Sequence, residues 1–175
     1  MEQRNGANSG ASSETRKIDV QRVSSATELE QIQLLFQEYA ASLDFELWFQ
    51  HFEEELRGLP GDYSPPKGCL LIATYQEDIA GCVAMRRLEK QICEMKRLYV
   101  RPPYRGFGIG RVLSVAIVAE ARKSGYRCMR LDTVPSMKEA RRLYASLGFR
   151  EIRPYYHNPI PGVVFLELDL TSSSP

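Results

Sequence analysis

The chain has 175 residues, enough for one domain with a substantial core but too few for a second full domain. Charged residues make up 26% and hydrophobic residues 43%, with a net charge of +1, so no global electrostatic attraction to nucleic acid or membrane is expected and any anion must be held locally. No apolar run approaches the roughly 20 residues that span a bilayer, and the N-terminus has no apolar segment of the signal-peptide kind; a cytoplasmic protein is the expectation.

Residues 1–16 are rich in Ser, Gly, Asn and Glu without apolar periodicity and read as a disordered tail. A single domain is expected over residues 17–171, followed by a short tail at 172–175. Ile18, Val20 and Val23 open a strand, and the spacing of Thr27 and Glu30 suggests a capping box at the start of a helix. Leu29, Ile32, Phe36, Tyr39 and Leu43 then recur at helical spacing. A second helical segment carries Leu47, Phe52 and Leu56 and stops near Gly58, and Gly58 to Gly68, with three prolines and three glycines, reads as an irregular loop.

From Cys69 the pattern turns strand-like: Cys69 to Tyr75, Ile79 to Arg87 and Gln91 to Val100 form an antiparallel meander. Simple alternation in the third strand puts Ile92, Glu94, Lys96, Leu98 and Val100 on one face and Cys93, Met95, Arg97 and Tyr99 on the other. A helix from Gly110 to Ser124, a strand from Arg127 to Thr133, a helix from Lys138 to Ser146 and strands at Phe149 to Arg153 and Val163 to Leu170 complete the order. The four cysteines, Cys69, Cys82, Cys93 and Cys128, are dispersed among apolar neighbours and read as buried thiols. His51 and His157 stand apart from other ligand types, so no metal site is expected.

The segment Arg105-Gly106-Phe107-Gly108-Ile109-Gly110-Arg111 joins a strand to a helix, a physical recipe for holding phosphate. Glycines admit close approach of the anion, and the helix start offers N–H groups and the positive end of its dipole. Arg101, Arg105 and Arg111 add donors. A dinucleotide-binding turn is a competing reading, because Asp132 lies roughly 20 residues beyond the glycines. Against it, the glycines fall at every second position, and a meander leads into the turn where that fold needs a parallel sheet.

Taken with its surroundings, the turn resembles motif A of the GNAT acetyltransferase superfamily, Arg/Gln-x-x-Gly-x-Gly/Ala, met by Arg105, Gly108 and Gly110. The lead-in Met95 to Pro102 is similar to that family's fourth strand. Ala140-Arg141-Arg142-Leu143-Tyr144-Ala145-Ser146-Leu147-Gly148-Phe149 resembles its motif B. The resemblance covers Leu70 to Leu170 and implies a mixed α/β fold, a mostly antiparallel, V-splayed sheet flanked by helices. It also implies acetyl-CoA as acetyl donor, with main-chain groups of Leu98, Tyr99 and Val100 on the acetyl carbonyl and pantetheine and amides from Gly106 to Arg111 on the pyrophosphate. The family often has an asparagine three residues before the motif B alanine, and this chain has Met137 there.

The implied reaction is acetyl transfer to an amine by a monomer or homodimer. An alkyl amine with a pKa of about 10.4 is only about 0.04% neutral at pH 7, so deprotonation alone is worth roughly 4.6 kcal/mol. A partly buried carboxylate with a raised pKa can take that proton. The resemblance points to Glu94, because several family members place a glutamate base eleven residues before the Arg/Gln of motif A and Glu94 stands eleven before Arg105. The plainer reading is a surface ion pair with Lys96, Arg97 or another cation on a solvated face; Glu89 and Glu151 are weaker candidates. Tyr144 occupies the motif B position that protonates the departing thiolate in several members, and core packing is its alternative role. The backbone N–H of Leu98 is the expected oxyanion donor.

The acceptor wall is expected from Phe45, Trp48, Phe49, Phe52, Tyr155, Tyr156, His157 and Asn158. Small amines, amino acids, antibiotics, polyamines and peptide or protein amino groups all stay open as acceptors in a ternary complex, with a small molecule slightly favoured because no acidic stripe suggests a basic peptide. A non-catalytic acetyl-CoA- or nucleotide-binding module is the other functional class.

Overall fold

The computed structural model describes residues 17–45 and 51–172. The N-terminal segment 1–16, the last residues 173–175 and Leu47, Trp48 and Phe49 lie outside them. In chain order the elements are β1 (Ile18–Arg22), α1 (Ala26–Ala41), α2 (Phe52–Arg57), β2 (Cys69–Tyr75), β3 (Asp78–Arg87), β4 (Ile92–Val100), α3 (Ile109–Lys123), β5 (Cys128–Thr133), α4 (Lys138–Ser146), β6 (Arg150–Ile152) and β7 (Val164–Asp169). The seven strands form one sheet in the order β1-β2-β3-β4-β5-β7-β6. Every neighbouring pair is antiparallel except β4 with β5.

The capping box of α1 lies two residues earlier than the expected Thr27 and Glu30. Ser25 Oγ accepts from the Glu28 amide at 3.2 Å, while the Glu28 carboxylate accepts from the amides of Ser24 and Ser25 at 2.8 and 3.0 Å. The run Ser24-Ser25-Ala26-Thr27 offers three hydroxyl caps, and the one chosen places an acidic side chain where two orphan amides can share it. The loop before β2 contains a 3₁₀ turn at Gly61–Tyr63, and the expected meander is present as β2, β3 and β4.

α3 lays Leu113, Ile117 and Ala121 on one face of the sheet, against Val83, Met85 and Met95. α1 lays Ile32, Leu35 and Phe36 on the other, against Leu70, Ile72 and Ala84. Each such side chain removed from water contributes roughly 1.5–3 kcal/mol for Leu, Ile, Phe and Met, so the sheet is fixed from both sides before any polar contact is counted.

Two irregularities shape β4. Between Cys82 and Ala84 the partner residues move from Tyr99 to Lys96, two steps on β3 against three on β4. The surplus residue is a β-bulge at Arg97, whose φ is 56°. The bulge inverts the alternation: Cys93, Met95, Leu98 and Val100 belong to the α3 side, whereas Tyr99 belongs to the α1 side. Simple alternation, which put Leu98 with Glu94 and Tyr99 with Met95, therefore fails beyond Lys96. Second, β4 pairs with β5 only through Ile92, Cys93 and Glu94, opposite Cys128, Met129 and Arg130, while β5 continues beside β7 to Thr133. Beyond Glu94 the two strands part, giving the V expected of the sheet.

Gly81 sits opposite Val100 at this junction, and a Cβ built on it would lie 2.3 Å from the carbonyl oxygen of Tyr99. Gly81→Ala is expected to lower stability by about 1–3 kcal/mol, the usual cost of overpacking, read as a lower urea midpoint at unchanged slope.

Candidate active site

The opening between β4 and β5 holds two connected spaces. The larger, about 900 Å³, runs along Leu98, Tyr99 and Val100 to Arg105, Gly106, Gly108, Ile109 and Gly110. The smaller, about 60 Å³, lies deeper, among Lys96, Leu98, Asp132, Tyr144 and Asn158. Leu98, Met137 and Ala140 line both, so the spaces meet where the strands separate.

On the groove side, Gly106 and Gly108 each have φ of 84°, a left-handed conformation that costs a side-chain-bearing residue roughly 1–2 kcal/mol. A Cβ on either would meet no protein atom within 4 Å, so the cradle is open on the side a ligand would approach. Gly108 is the N-cap of α3, and the first bonds back to its carbonyl come from Arg111 and Val112 at 3.0 and 3.1 Å; Ile109 and Gly110 precede them, at the start where a helix has spare donors. Arg105 folds across this turn, its Nε donating to the Val100 carbonyl at 3.0 Å and its guanidinium lying over the Tyr99 ring. The side chains of Phe107 and Arg111 do other work. The Phe107 ring stacks on Tyr75 at 5.0 Å, and Arg111 Nη1 donates to Ser146 Oγ at 2.9 Å, so both fasten the turn rather than line the groove. Met137, in the place of the family's asparagine, is the N-cap residue of α4 and offers Sδ to Thr133 Oγ1 at 3.8 Å.

On the deep side, Glu94 is neither solvated nor a wall of the small cavity. It is 1% exposed, with Arg86 Nε donating to Oε2 at 2.8 Å and the Tyr155 hydroxyl donating to Oε1 at 2.9 Å. Burial alone would raise its pKa, as the sequence suggested, but Lys96, Arg86 and the Tyr155 hydrogen bond outweigh burial and hold it below its usual range. The expected surface pair and the expected raised pKa are both corrected: Glu94 is a buried, ion-paired carboxylate that stays charged at neutral pH. Tyr144 does face the small cavity, and its ring also packs near Phe149 at 5.6 Å. Burial pushes its hydroxyl well above the usual range, so it stays protonated at neutral pH.

The carboxylate that does line the small cavity is Asp132, which the sequence offered only to a nucleotide ribose. Its Oδ2 accepts from the Tyr156 hydroxyl at 2.9 Å and from Asn158 Nδ2 at 3.0 Å, and its Oδ1 lies 3.8 Å from Lys96 Nζ. Of the expected acceptor wall, Phe45 and Asn158 line the cavity, Tyr156 and Asn158 bind its carboxylate Asp132, Tyr155 binds Glu94 behind it, Phe52 packs in the α1-side core and His157 is exposed. Glu89 reaches Arg130 at the surface and Glu151 is exposed. Lys96 was named only as a possible partner of Glu94, Asp132 only under the nucleotide reading, and Arg86 not at all; the available signal was charge inside strand patterns, where charged residues are depleted.

Arg97, at the bulge, donates Nε and Nη2 to the two oxygens of Glu55 at 3.0 and 2.5 Å, between the rings of Tyr39 and Phe52. The Tyr63 hydroxyl donates to the same carboxylate at 2.7 Å. This pair ties α2 to β4. Burial raises the Glu55 pKa, but Arg97 and Tyr63 outweigh it and the net shift is downward from 4.5. A carboxylate with a lowered folded pKa contributes stability that is complete above its unfolded value and is lost as pH falls through the folded value. Glu55→Gln is therefore expected to cost about 3–5 kcal/mol at neutral pH, as for a broken buried pair. It should also flatten the fall in stability below pH 4.5, measured by urea unfolding across pH 3 to 7.

The family model described as Acetyltransferase (GNAT) family matches residues 29–149. An uncharacterized N-acetyltransferase of Schizosaccharomyces pombe is 40% identical over 156 residues, 88% of this chain and 96% of the relative. The N-acetylaspartate synthetase of Homo sapiens is 32% identical over 100 residues, 57% of this chain but 33% of its own length. Among solved structures, an acetyltransferase of Streptococcus agalactiae superposes with a TM-score of 0.68 at 22% identity, covering 87% of this chain and 98% of the other. YncA of Salmonella typhimurium, solved with its cofactor acetyl-CoA, gives 0.65 at 17% identity, over 90% and 96%.

Proposed function

The chain belongs to the GNAT acetyltransferase family, and from that membership we propose that it transfers the acetyl group of acetyl-CoA to the primary amine of a small molecule by direct attack in a ternary complex. The observation that carries this reading is the meeting of the two spaces at Leu98: a glycine-lined groove ending at a helix start on one side, a buried polar cavity on the other. The groove suits the donor, with phosphate oxygens at Gly106 to Gly110 and the pantetheine arm along Leu98, Tyr99 and Val100. In support, the bulge changes the phase of β4 at Leu98, which lines the groove; an acetyl carbonyl bound beside it would have the Leu98 N–H to stabilise the developing oxyanion. The amine enters from the cavity. N-acetylaspartate synthetases among the relatives put amino acids into the first acceptor panel.

In this reading the nitrogen attacks the thioester carbonyl, the C–N bond forms, the tetrahedral intermediate collapses with loss of the thiolate, and Tyr144 gives that sulfur its proton. The proton lost by the amine goes to Glu94 at one remove, through water or the Tyr155 hydroxyl, because the Glu94 carboxylate itself is walled off from the cavity. Glu94 is in the accepting form at neutral pH, and because its pKa is lowered it is a weak base that passes the proton on toward solvent rather than keeping it.

Acetyl-CoA at 100 times its dissociation constant should stabilise the protein by about 2.7 kcal/mol and do so more than NAD or ATP. Gly108→Val should remove the effect while leaving a folded protein, since a branched side chain would occupy the cradle. Equal stabilisation by NAD, or undiminished acetyl-CoA affinity in the folded variant, would sink the cofactor assignment.

Glu94→Gln should retain acetyl-CoA binding and lose roughly 10²–10⁴-fold in turnover, with part of the loss recovered at higher pH, where more amine is already neutral. Tyr144→Phe should show no such recovery and a smaller defect with a thioester of a more acidic thiol. Parent-like turnover of both variants across pH 6 to 9 would leave positioning of an already neutral amine as the main source of rate.

A further inference from the structure

Lys96 and Asp132 stand on the two strands that part at the bottom of the V and line the same small cavity, beside Leu98 and Tyr144. Their charged ends are 3.8 Å apart, with side chains only 6% and 12% exposed. Asp132 is held in place: Tyr156 and Asn158 both donate to Oδ2, Asn158 Nδ2 also reaches the Tyr156 hydroxyl at 3.0 Å, and the Tyr156 ring packs edge-on against Phe165. The fixed oxygen leaves Oδ1 turned toward Lys96. Arg97, the other cation of the wall, is bound to Glu55, and Lys96 with Asp132 forms a cation–anion pair close together, away from bulk water and next to the proposed point of transfer.

We propose that the acceptor is a free amino acid, its ammonium group received by Asp132 Oδ1 and its carboxylate by Lys96 Nζ. This rests on the acetyltransferase reading and adds the substrate class. A buried Lys–Asp pair is a complement to a molecule that carries the opposite charges at the same short spacing: the zwitterion lies alongside the pair, antiparallel to it, and each charge gains an opposite partner without the 3.8 Å separation having to open, so little desolvation is left uncompensated. A simple alkylamine satisfies Asp132 and places no anion against Lys96. A peptide N-terminus has an amide where the carboxylate is needed. Size agrees, since about 60 Å³ is several times the roughly 10–15 Å³ that a cavity needs to hold one water. That is room for the head of an amino acid, with its side chain directed toward Phe45 and the entrance rather than inward.

The test compares each of several amino acids, acidic and neutral, with its own carboxamide and its own decarboxylated amine, measuring free CoA release and confirming the product by mass spectrometry. The carboxamide is the less basic amine and more of it is neutral at pH 7, so any preference for the free acid reports recognition rather than intrinsic reactivity. The expected result is a kcat/KM at least tenfold higher for the free acids, expressed mainly in KM. Lys96→Met should bring that ratio to near one, Lys96→Arg should restore part of it, and Asp132→Asn should raise KM for every amine. Folding of each variant is checked by its thermal stabilisation with acetyl-CoA. Equal or faster turnover of carboxamides, alkylamines or a peptide N-terminus by the parent protein overturns the amino acid assignment and leaves the acetyltransferase reading standing. The parent measurement decides this even where a variant fails to fold. Transfer to none of the amines, with acetyl-CoA binding intact, overturns both.

Discussion

The arrangement of this protein depends on one surplus residue in β4. With Arg97 in a left-handed conformation, the strand gains a bulge that regular pairing with β3 does not accommodate, and the guanidinium is held by two hydrogen bonds to Glu55 between the rings of Tyr39 and Phe52. A left-handed non-glycine residue costs of order 1–2 kcal/mol, and a bidentate pair with aromatic faces on both sides is the kind of contact that holds such a conformation in place. The bulge inverts the side-chain phase of the strand and sends Leu98 and Val100 to the α3 side. It also lies just past the last residue of β4 that pairs with β5, so the change of phase and the parting of the strands act on the same stretch of main chain.

What the two sides of the opening offer follows from how each is built. On the groove side the main chain dominates: left-handed glycines, a helix start and the exposed edge of a bulged strand provide donors whose positions are set by the fold, and the nearby side chains of Phe107, Arg105 and Arg111 serve to fasten the turn. On the deep side the side chains dominate. Glu94, Asp132, Lys96 and Arg86 are brought in from three different strands and locked by Tyr155, Tyr156 and Asn158 from the loop before β7. Buried charges of this kind hold their geometry only when each has its partners, which makes the loop that carries Tyr155, Tyr156 and Asn158 a structural part of the cavity.

Much of this protein was legible from its residues. Hydrophobic period separated the helices of Ile32 and Leu113 from the strands of Leu71 and Val83, glycine at 125 and 148 marked helix ends, and the alternating glycines beside Arg105 identified the turn, because these features act through the local backbone. Sequence could not decide which way Leu98 and Tyr99 point, since the bulge is stabilised by Glu55, forty-two residues away from Arg97. Nor could it decide the state of Glu94. Strand alternation gave its face, but whether its pKa rises or falls depends on Lys96, Arg86 and Tyr155 gathered around it by tertiary packing. Nor could the sequence place Asp132, weighed only as the ribose contact of a reading that the glycine spacing set aside: its partners Tyr156 and Asn158 come from a loop with no periodicity to announce them. Local backbone preference is written in neighbouring residues, whereas the charge state and direction of a buried side chain are set by the distant groups that share its space.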